Sequence, residues 1–218
     1  VLEEENESEE RKEEQIEFPK PKFLAGTDEE KISSAKRGTL VHLCMKNLNF
    51  EKEYTLDDIK DLIDDLERRN IITKLEKEAI NPFVIYKFTK SNIWGELKES
   101  KEYRKEEPFY INVPAREVMD VSLDENILVQ GIMDLYYITK DDELVLLDYK
   151  TDFVNDMNKD GLDEMLTNSE EFVESGENLL ISRHRPQLML YKEALECCLN
   201  RKVSRVYIYS TGLGREIL

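Results

Sequence analysis

The sequence predicts an α/β or α+β domain: a mixed β-sheet against helices, entered through a helical block and preceded by an acidic tail. Three observations predict it. From Ser33 to beyond Ser91 the apolar residues recur at helical spacing, punctuated by capping residues. Two apolar runs rich in β-branched and aromatic residues then flank the polar Thr139-Lys-Asp-Asp-Glu143, which reads as a hairpin. Finally a helical stretch, Ser182 to Asn200, leads into a last strand, Val203 to Ser210, and a helix linking strands implies a mixed sheet.

At 218 residues the chain can hold one large domain with its own core, or one domain with appendages. It starts with Val rather than Met, as a fragment of a longer protein would. The three cysteines, Cys44, Cys197 and Cys198, form no CxxC pair, so neither a zinc ribbon nor an iron–sulfur cluster is expected. Free thiols fit a reducing, cytoplasmic compartment. The N-terminus is acidic rather than basic and apolar, unlike a signal peptide. No apolar run approaches the roughly 20 residues of a membrane span, so no membrane partner is expected.

The net charge of −17 argues against nucleic acid only if it is spread evenly. Residues 1–20 carry −6 and residues 155–178 carry −7, together −13 of the −17. The remainder is close to balanced and leaves room for a local basic groove. Residues 1–22, Glu-rich and ending in Pro19 and Pro21, read as a tail or linker, with residues 23–218 as the domain. Within that domain the acidic 155–181 stretch reads as a mobile loop.

The elements follow in order. A largely buried helix from Ser33 includes Gly38-Thr-Leu-Val-His42-Leu-Cys-Met. Thr55 with Asp58 makes a capping box for a helix over 55–69, and Thr73 with Glu76 starts another. Further helices run from Pro82 to Lys90 and from Ser91. These read as packing, not chemistry. Glu102 to Val113 reads as a strand with Phe109, Ile111 and Val113 on one face. After the hairpin and the acidic stretch, the helix over 182–200 presents Leu188, Tyr191, Leu195 and Cys198/Leu199 as its apolar face.

The hairpin carries the chemistry. If Lys140, Asp141 and Asp142 form a three-residue loop, Thr139 faces Glu143, and the same register sets Asp134 opposite Asp148. Directly opposed side chains stand about 4.5–5.5 Å apart at Cβ. Lys150 points the same way as Asp148 because side chains alternate along a strand. Two such carboxylates repel unless a proton or cation lies between them, and a hard divalent cation is the natural occupant. A two-residue turn at Asp141-Asp142 would instead put the two Asp residues on opposite faces. In a metal-dependent phosphodiesterase the carboxylates hold the cation and the lysine orients water or stabilises developing charge. A buried structural ion pair of Lys150 with an Asp accounts for the same spacing.

The remaining polar residues carry less on their own. A lone histidine in an apolar helix, such as His42, is ordinarily structural. Gln187 and Tyr191 share a helix face, with Arg183, His184 and Arg185 just before them, a face able to grip a phosphate backbone. Tyr191 reads equally as a core aromatic, and Glu106 as an exposed strand charge. No Walker A pattern occurs, so no ATP site is expected, and no GxSxG occurs either.

Five stretches acquire weight together and in order: Gly38-Thr-Leu-Val-His42, Glu106-Glu-Pro-Phe109, Gly131-Ile-Met-Asp134, Asp148-Tyr-Lys-Thr-Asp152 and Gln187-Leu-Met-Leu-Tyr191. Over residues 38–191 the chain resembles the nuclease domain of the RecB family, within the PD-(D/E)xK superfamily. Its resemblance is greatest to the domain at the C-terminus of AddA-type helicase–nuclease proteins. The resemblance implies a restriction-endonuclease-like α/β fold and a Mg²⁺-dependent (or Mn²⁺-dependent) nuclease, exonuclease in type. It implies DNA, single-stranded above all, as substrate, and a role in double-strand break repair by homologous recombination. The implied partners are an upstream helicase domain and an AddB-type subunit. By the same resemblance His42, Asp134, Asp148 and the Tyr149 backbone carbonyl are metal ligands, and Lys150 is the catalytic lysine alongside the two Asp residues. Gln187 and Tyr191 become DNA contacts, flanked by Arg183 and Arg185, and Glu106 an acid near the metal. The long acidic stretch departs from what a passing DNA strand would meet. The competing expectation is a catalytically silent DNA-binding or docking module of the same fold.

Overall fold

The computed structural model describes residues 32–118, 125–151 and 170–217. The expected tail over 1–22, and residues 155–169 of the expected acidic loop, lie outside them.

Each early helix begins where a side chain takes up its free backbone donors. Helix α1 (Ser34–Asn47) starts at Ser33, whose hydroxyl accepts from the Lys36 N–H at 3.2 Å. Helices α2 (Leu56–Arg68) and α3 (Lys74–Ala79) open on complete capping boxes, Thr55 with Asp58 and Thr73 with Glu76, as the sequence predicts. Helix α4 (Pro82–Phe88) has its proline in the first turn, where a missing N–H costs nothing, and α5 (Asn92–Lys98) is capped by Ser91. These helices bury Leu40, Met45, Ile59, Ile63, Ile85 and Trp94 in one core. Phe88 meets Trp94, Tyr149 and Tyr209 edge-on within it.

The chain then forms β1 (Glu102–Pro114), a short α6 (Ala115–Val118), β2 (Asn126–Ile138), β3 (Leu144–Lys150), α7 (Glu170–Leu199), β4 (Val203–Ser210) and β5 (Arg215–Ile217). The strands lie in sequence order in one sheet, antiparallel except for the parallel pair β3–β4. The expected mixed sheet flanked by helices, with a helical N-terminal segment, is therefore what the chain builds. The helical block covers one face of this sheet. Ala194 and Leu195 of α7 pack on the other, beside Phe109, Met133, Leu144 and Leu146.

The expected hairpin register holds. Leu135 pairs with Leu147 and Ile138 with Leu144, and the Thr139 N–H donates to the Glu143 carbonyl at 2.9 Å. Asp142 closes the three-residue loop at φ 70°, a left-handed conformation that Asp tolerates better than most residues. Continued by one residue, the register sets Asp134 opposite Asp148.

Two elements, α7 and β5, differ from expectation. Helix α7 begins at Glu170, so residues 170–181 are helical rather than loop; glutamates in a first turn favour a helix N-terminus. Cys198 and Leu199, expected on its apolar face, are exposed, whereas Leu188 and Leu195 are buried. Strand β5, unforeseen, returns through Gly214 at φ 71° to pair with β4.

Both long strands change sides midway. Tyr103 packs against the helical core, whereas Phe109, Ile111 and Val113, also odd-numbered, pack on the α7 side. On β2, Met133 lies on the α7 side and Leu135 and Tyr137 on the helical side. Strict alternation would keep all these residues on one face. The switch falls at Glu106, which stands at φ 52° and is left out of a ladder that continues unshifted from Lys105–Leu135 to Glu107–Met133. A left-handed conformation costs a side-chain-bearing residue on the order of 1–2 kcal/mol. It is placed directly across from Asp134.

Candidate active site

The strand switch gathers acids from two strands beneath α1. A histidine nitrogen of His42 and carboxylate oxygens of Glu106 and Asp134 all lie within 4.8 Å of one another. His42 Nδ1 is 3.0 Å from Asp134 Oδ1, and the other Asp134 oxygen accepts the backbone N–H of Tyr149 at 2.8 Å. The His42 ring also stands edge-on to Tyr149, 5.8 Å between centroids.

Two contacts fix α1 over this point. Lys105, next to Glu106, reaches the last carbonyls of α1, those of Lys46 (3.2 Å) and Leu48, and lies 4.1 Å from the centre of the Phe50 ring. A cation is well placed at a helix C-terminus. At the other end, a Cβ on Gly38 would come within 2.8 Å of Thr151 Oγ1, so only glycine lets α1 lie this close to the end of β3.

Asp148 and Lys150 complete the site from the α7 side. Lys150 Nζ stands 2.8 Å from Asp148 Oδ2 and donates to Gln187 Oε1 at 3.0 Å. Gln187 in turn donates to the Tyr191 hydroxyl at 2.7 Å. Tyr191 packs edge-on to Phe109, and Phe109 covers Gly131, where a Cβ would meet its ring at 2.6 Å. The glycine, the phenylalanine, the tyrosine and the glutamine thus form a chain of contacts that ends on the lysine. Arg183 and Arg185 are exposed on α7 just before Gln187. His184, between them, falls at helical spacing on the Gln187–Tyr191 face and is half-buried.

The electrostatics show negative charge in excess. Asp148 is 2% exposed. Burial, reinforced by the Asp134 carboxylate, raises its pKa above the ordinary value, against the pull of Lys150 and His42. Burial alone would lower the pKa of His42. Its hydrogen bond to Asp134 and the charges of Asp134, Asp148 and Glu106 outweigh that and raise it. Asp148 Oδ2 is buried with the Lys150 ammonium as its partner. A buried carboxylate beside an imidazole and two further carboxylates suits a hard divalent cation. The oxygen-rich set with one nitrogen and no thiolate fits such a hard cation rather than a soft metal. Cys44 is buried among apolar side chains, its thiol pushed up to about 12 by that burial.

Of the sequence-derived residues, His42, Glu106 and Asp134 come within ligand distance of one another, and Lys150 joins Asp148, Gln187 and Tyr191. Glu106, expected beside the metal, is grouped with His42 and Asp134, while Asp148 stands alongside them and holds Lys150. What sequence alone could not show is the left-handed turn that brings Glu106 in.

The site thus sets an acid pair on adjacent strands, followed by lysine at the end of the second, on a mixed sheet flanked by helices. The chain matches the model of the PD-(D/E)XK nuclease superfamily over residues 12–212, and it belongs to that superfamily. It is 34% identical over 207 residues to an ATP-dependent helicase/nuclease subunit of Clostridium botulinum strain Loch Maree, covering 93% of this chain and 14% of that protein. With the protein of the same name from strain Alaska E43 the identity is 38% over 208 residues, 91% of this chain and 15% of that one. The chain thus spans about a seventh of the length of these relatives. Among the described residues, no helix is long and apolar enough to cross a membrane.

Proposed function

We propose that this chain hydrolyses phosphodiester bonds of single-stranded DNA, with Mg²⁺ or Mn²⁺ held by His42, Asp134, Asp148, the Tyr149 carbonyl and Glu106. The gathering of His42, Glu106 and Asp134 within 4.8 Å, beside the buried pair of Asp148 and Lys150, carries the reading. The cation, when bound, polarises the phosphate and lowers the pKa of a water. The chain's own groups do the rest. Asp148 and Gln187 hold the Lys150 ammonium between two acceptors, so it meets an incoming phosphate already oriented. There it steadies the attacking water or the charge developing on the phosphorus oxygens. Asp134 supplies the acceptor that keeps His42 aligned, with Glu106 close by. Arg183 and Arg185, exposed on α7 just before Gln187, contact the strand's phosphates in this reading.

In the longer protein to which the relatives point, the domain acts as an exonuclease fed by a helicase, with an AddB-type partner, in cytoplasmic double-strand break repair by recombination. The name those relatives carry, which joins helicase and nuclease in one protein, supports the helicase part of this reading. The test is cleavage of labelled single-stranded DNA with Mg²⁺, with Mn²⁺ and with EDTA. The intact chain should cut only with metal, and Asp134→Ala and Lys150→Ala should not cut. DNA binding without cleavage under any divalent cation would identify a silent binding module instead.

A further inference from the structure

Beyond the strand switch, β1 and β2 continue as a two-stranded ribbon. Its odd-numbered residues pack on the α7 side, so its even-numbered residues face the side from which α1 delivers His42. The first three rows of those residues pair Ile132 with Pro108, Gln130 with Tyr110, and Leu128 with Asn112. All six are exposed, Tyr110 and Leu128 at 64% and Ile132 at 53%. In a chain of which 36% is charged, this face carries no charged residue at all. The first row lies two residues from Glu106 and Asp134, so the face runs unbroken out of the acid cluster. Successive rows are about 6.7 Å apart, twice the strand rise. That is also twice the roughly 3.4 Å per base of a stacked strand, so each row meets every second base of a stacked strand.

The geometry points to this ribbon face as a stacking platform for the bases of the unpaired strand that enters the site. Tyr110 is the stacking group, Ile132 and Leu128 are apolar floor, and Gln130 and Asn112 offer amides to base edges. Base–aromatic stacking tolerates any sequence, because every base has a π-face. It also asks for no acid where a polyanion must lie, which a generic solvated face of so acidic a chain would not respect. The inference rests on the proposed nuclease reading for the identity of the strand, but it is tested by binding alone.

The probe is 5′-labelled oligothymidylate, with fluorescence anisotropy on this chain in Ca²⁺ at several salt concentrations. Tyr110→Ala should weaken binding on the order of tenfold. Tyr110→Phe should restore it, and the slope of log affinity against log salt should stay unchanged, since no phosphate contact is lost. Affinity within twofold of wild type for Tyr110→Ala, or no binding by the wild type, overturns the proposal. If Tyr110→Ala spares the oligonucleotide but loosens the chain's hold on the remainder of the longer protein, the face is a protein interface and the proposal fails. Failure of the nuclease reading looks different: the wild type would bind the oligonucleotide and cut nothing with Mg²⁺ or Mn²⁺.

Discussion

The two ends of the β2–β3 hairpin each gather charged side chains, and they treat them differently. At the loop end Arg205 of β4 makes paired hydrogen bonds to Glu96, at 3.0 and 2.9 Å, and an ion pair to Glu143 at 2.9 Å. The Tyr137 hydroxyl adds a donor to Glu96. There the pKa of Glu96 is lowered: burial opposes this, but Arg205 and Tyr137 outweigh it. At the open end Asp134, Asp148 and Glu106 share Lys150 and His42, and the Asp148 pKa is raised. Charge on a strand is therefore not itself the mark of a site. The mark is acid left without enough positive charge, because a fold has no reason of stability to keep it.

The strongest test of that contrast removes one group from each end. Asp148→Asn should cut cleavage by about 10²–10³-fold, the scale seen when a preorganised electrostatic group is lost. It should leave the metal-free melting temperature unchanged or raised, since the carboxylate it removes is disfavoured there. Arg205→Ala should do the reverse. It unpairs Glu96 and Glu143, both more than a third exposed, and should cost about 1 kcal/mol, a melting-temperature drop of roughly 2–4 °C for a domain this size. Cleavage below the transition should be unaffected. Thermal melts and initial rates on the same four samples, both variants with and without Mg²⁺, read both ends; a stability loss in Asp148→Asn would erase the distinction.

A finer cut falls within the open end itself. Sequence places Gln187 and Tyr191 as DNA contacts, whereas the hydrogen bonds run from Tyr191 through Gln187 to Lys150. A residue that orients the lysine acts in the transition state, so Gln187→Leu should lower kcat about tenfold and leave KM nearly unchanged. A DNA contact would raise KM instead. Steady-state kinetics on an oligonucleotide substrate separate the two roles.

How much of this can be read from residues depends on where the backbone is ordinary. The hairpin register is legible because a polar three-residue loop ending in Asp142 has one comfortable geometry, and the pairing of Asp134 with Asp148 follows by counting. The capping boxes at Thr55 and Thr73 are legible for the same local reason. The strand switch is not: nothing in Lys105-Glu-Glu-Pro108 marks Glu106 as left-handed, since glutamate has no preference for that conformation. His42 cannot be told from a core histidine by its apolar neighbours alone, because its partners come from strands some sixty and ninety positions away. The start of α7 is hidden because eight acids in 155–178 weigh toward loop, although glutamates in a first turn suit a helix.

The smallest effect ties the contrast to pH. In the metal-free fold both His42 and Asp148 have raised pKa values. For each, the folded chain binds a proton more readily than the unfolded chain, so the stabilisation is present at low pH and is lost as pH rises through the raised value. Each group contributes at most about 1.4 kcal/mol per pH unit within its window. The metal-free protein should therefore melt up to a few degrees lower at pH 8 than near pH 6 on account of His42, whose window opens at the ordinary histidine value, while the loss from Asp148 begins already above the ordinary aspartate value. A divalent cation competes with those same protons, so the melting-temperature gain from Mg²⁺ should grow over that interval. In Asp148→Asn the pH effect should shrink and the Mg²⁺ gain should fall with it. In Arg205→Ala, with the open end intact, both should persist on a lower baseline.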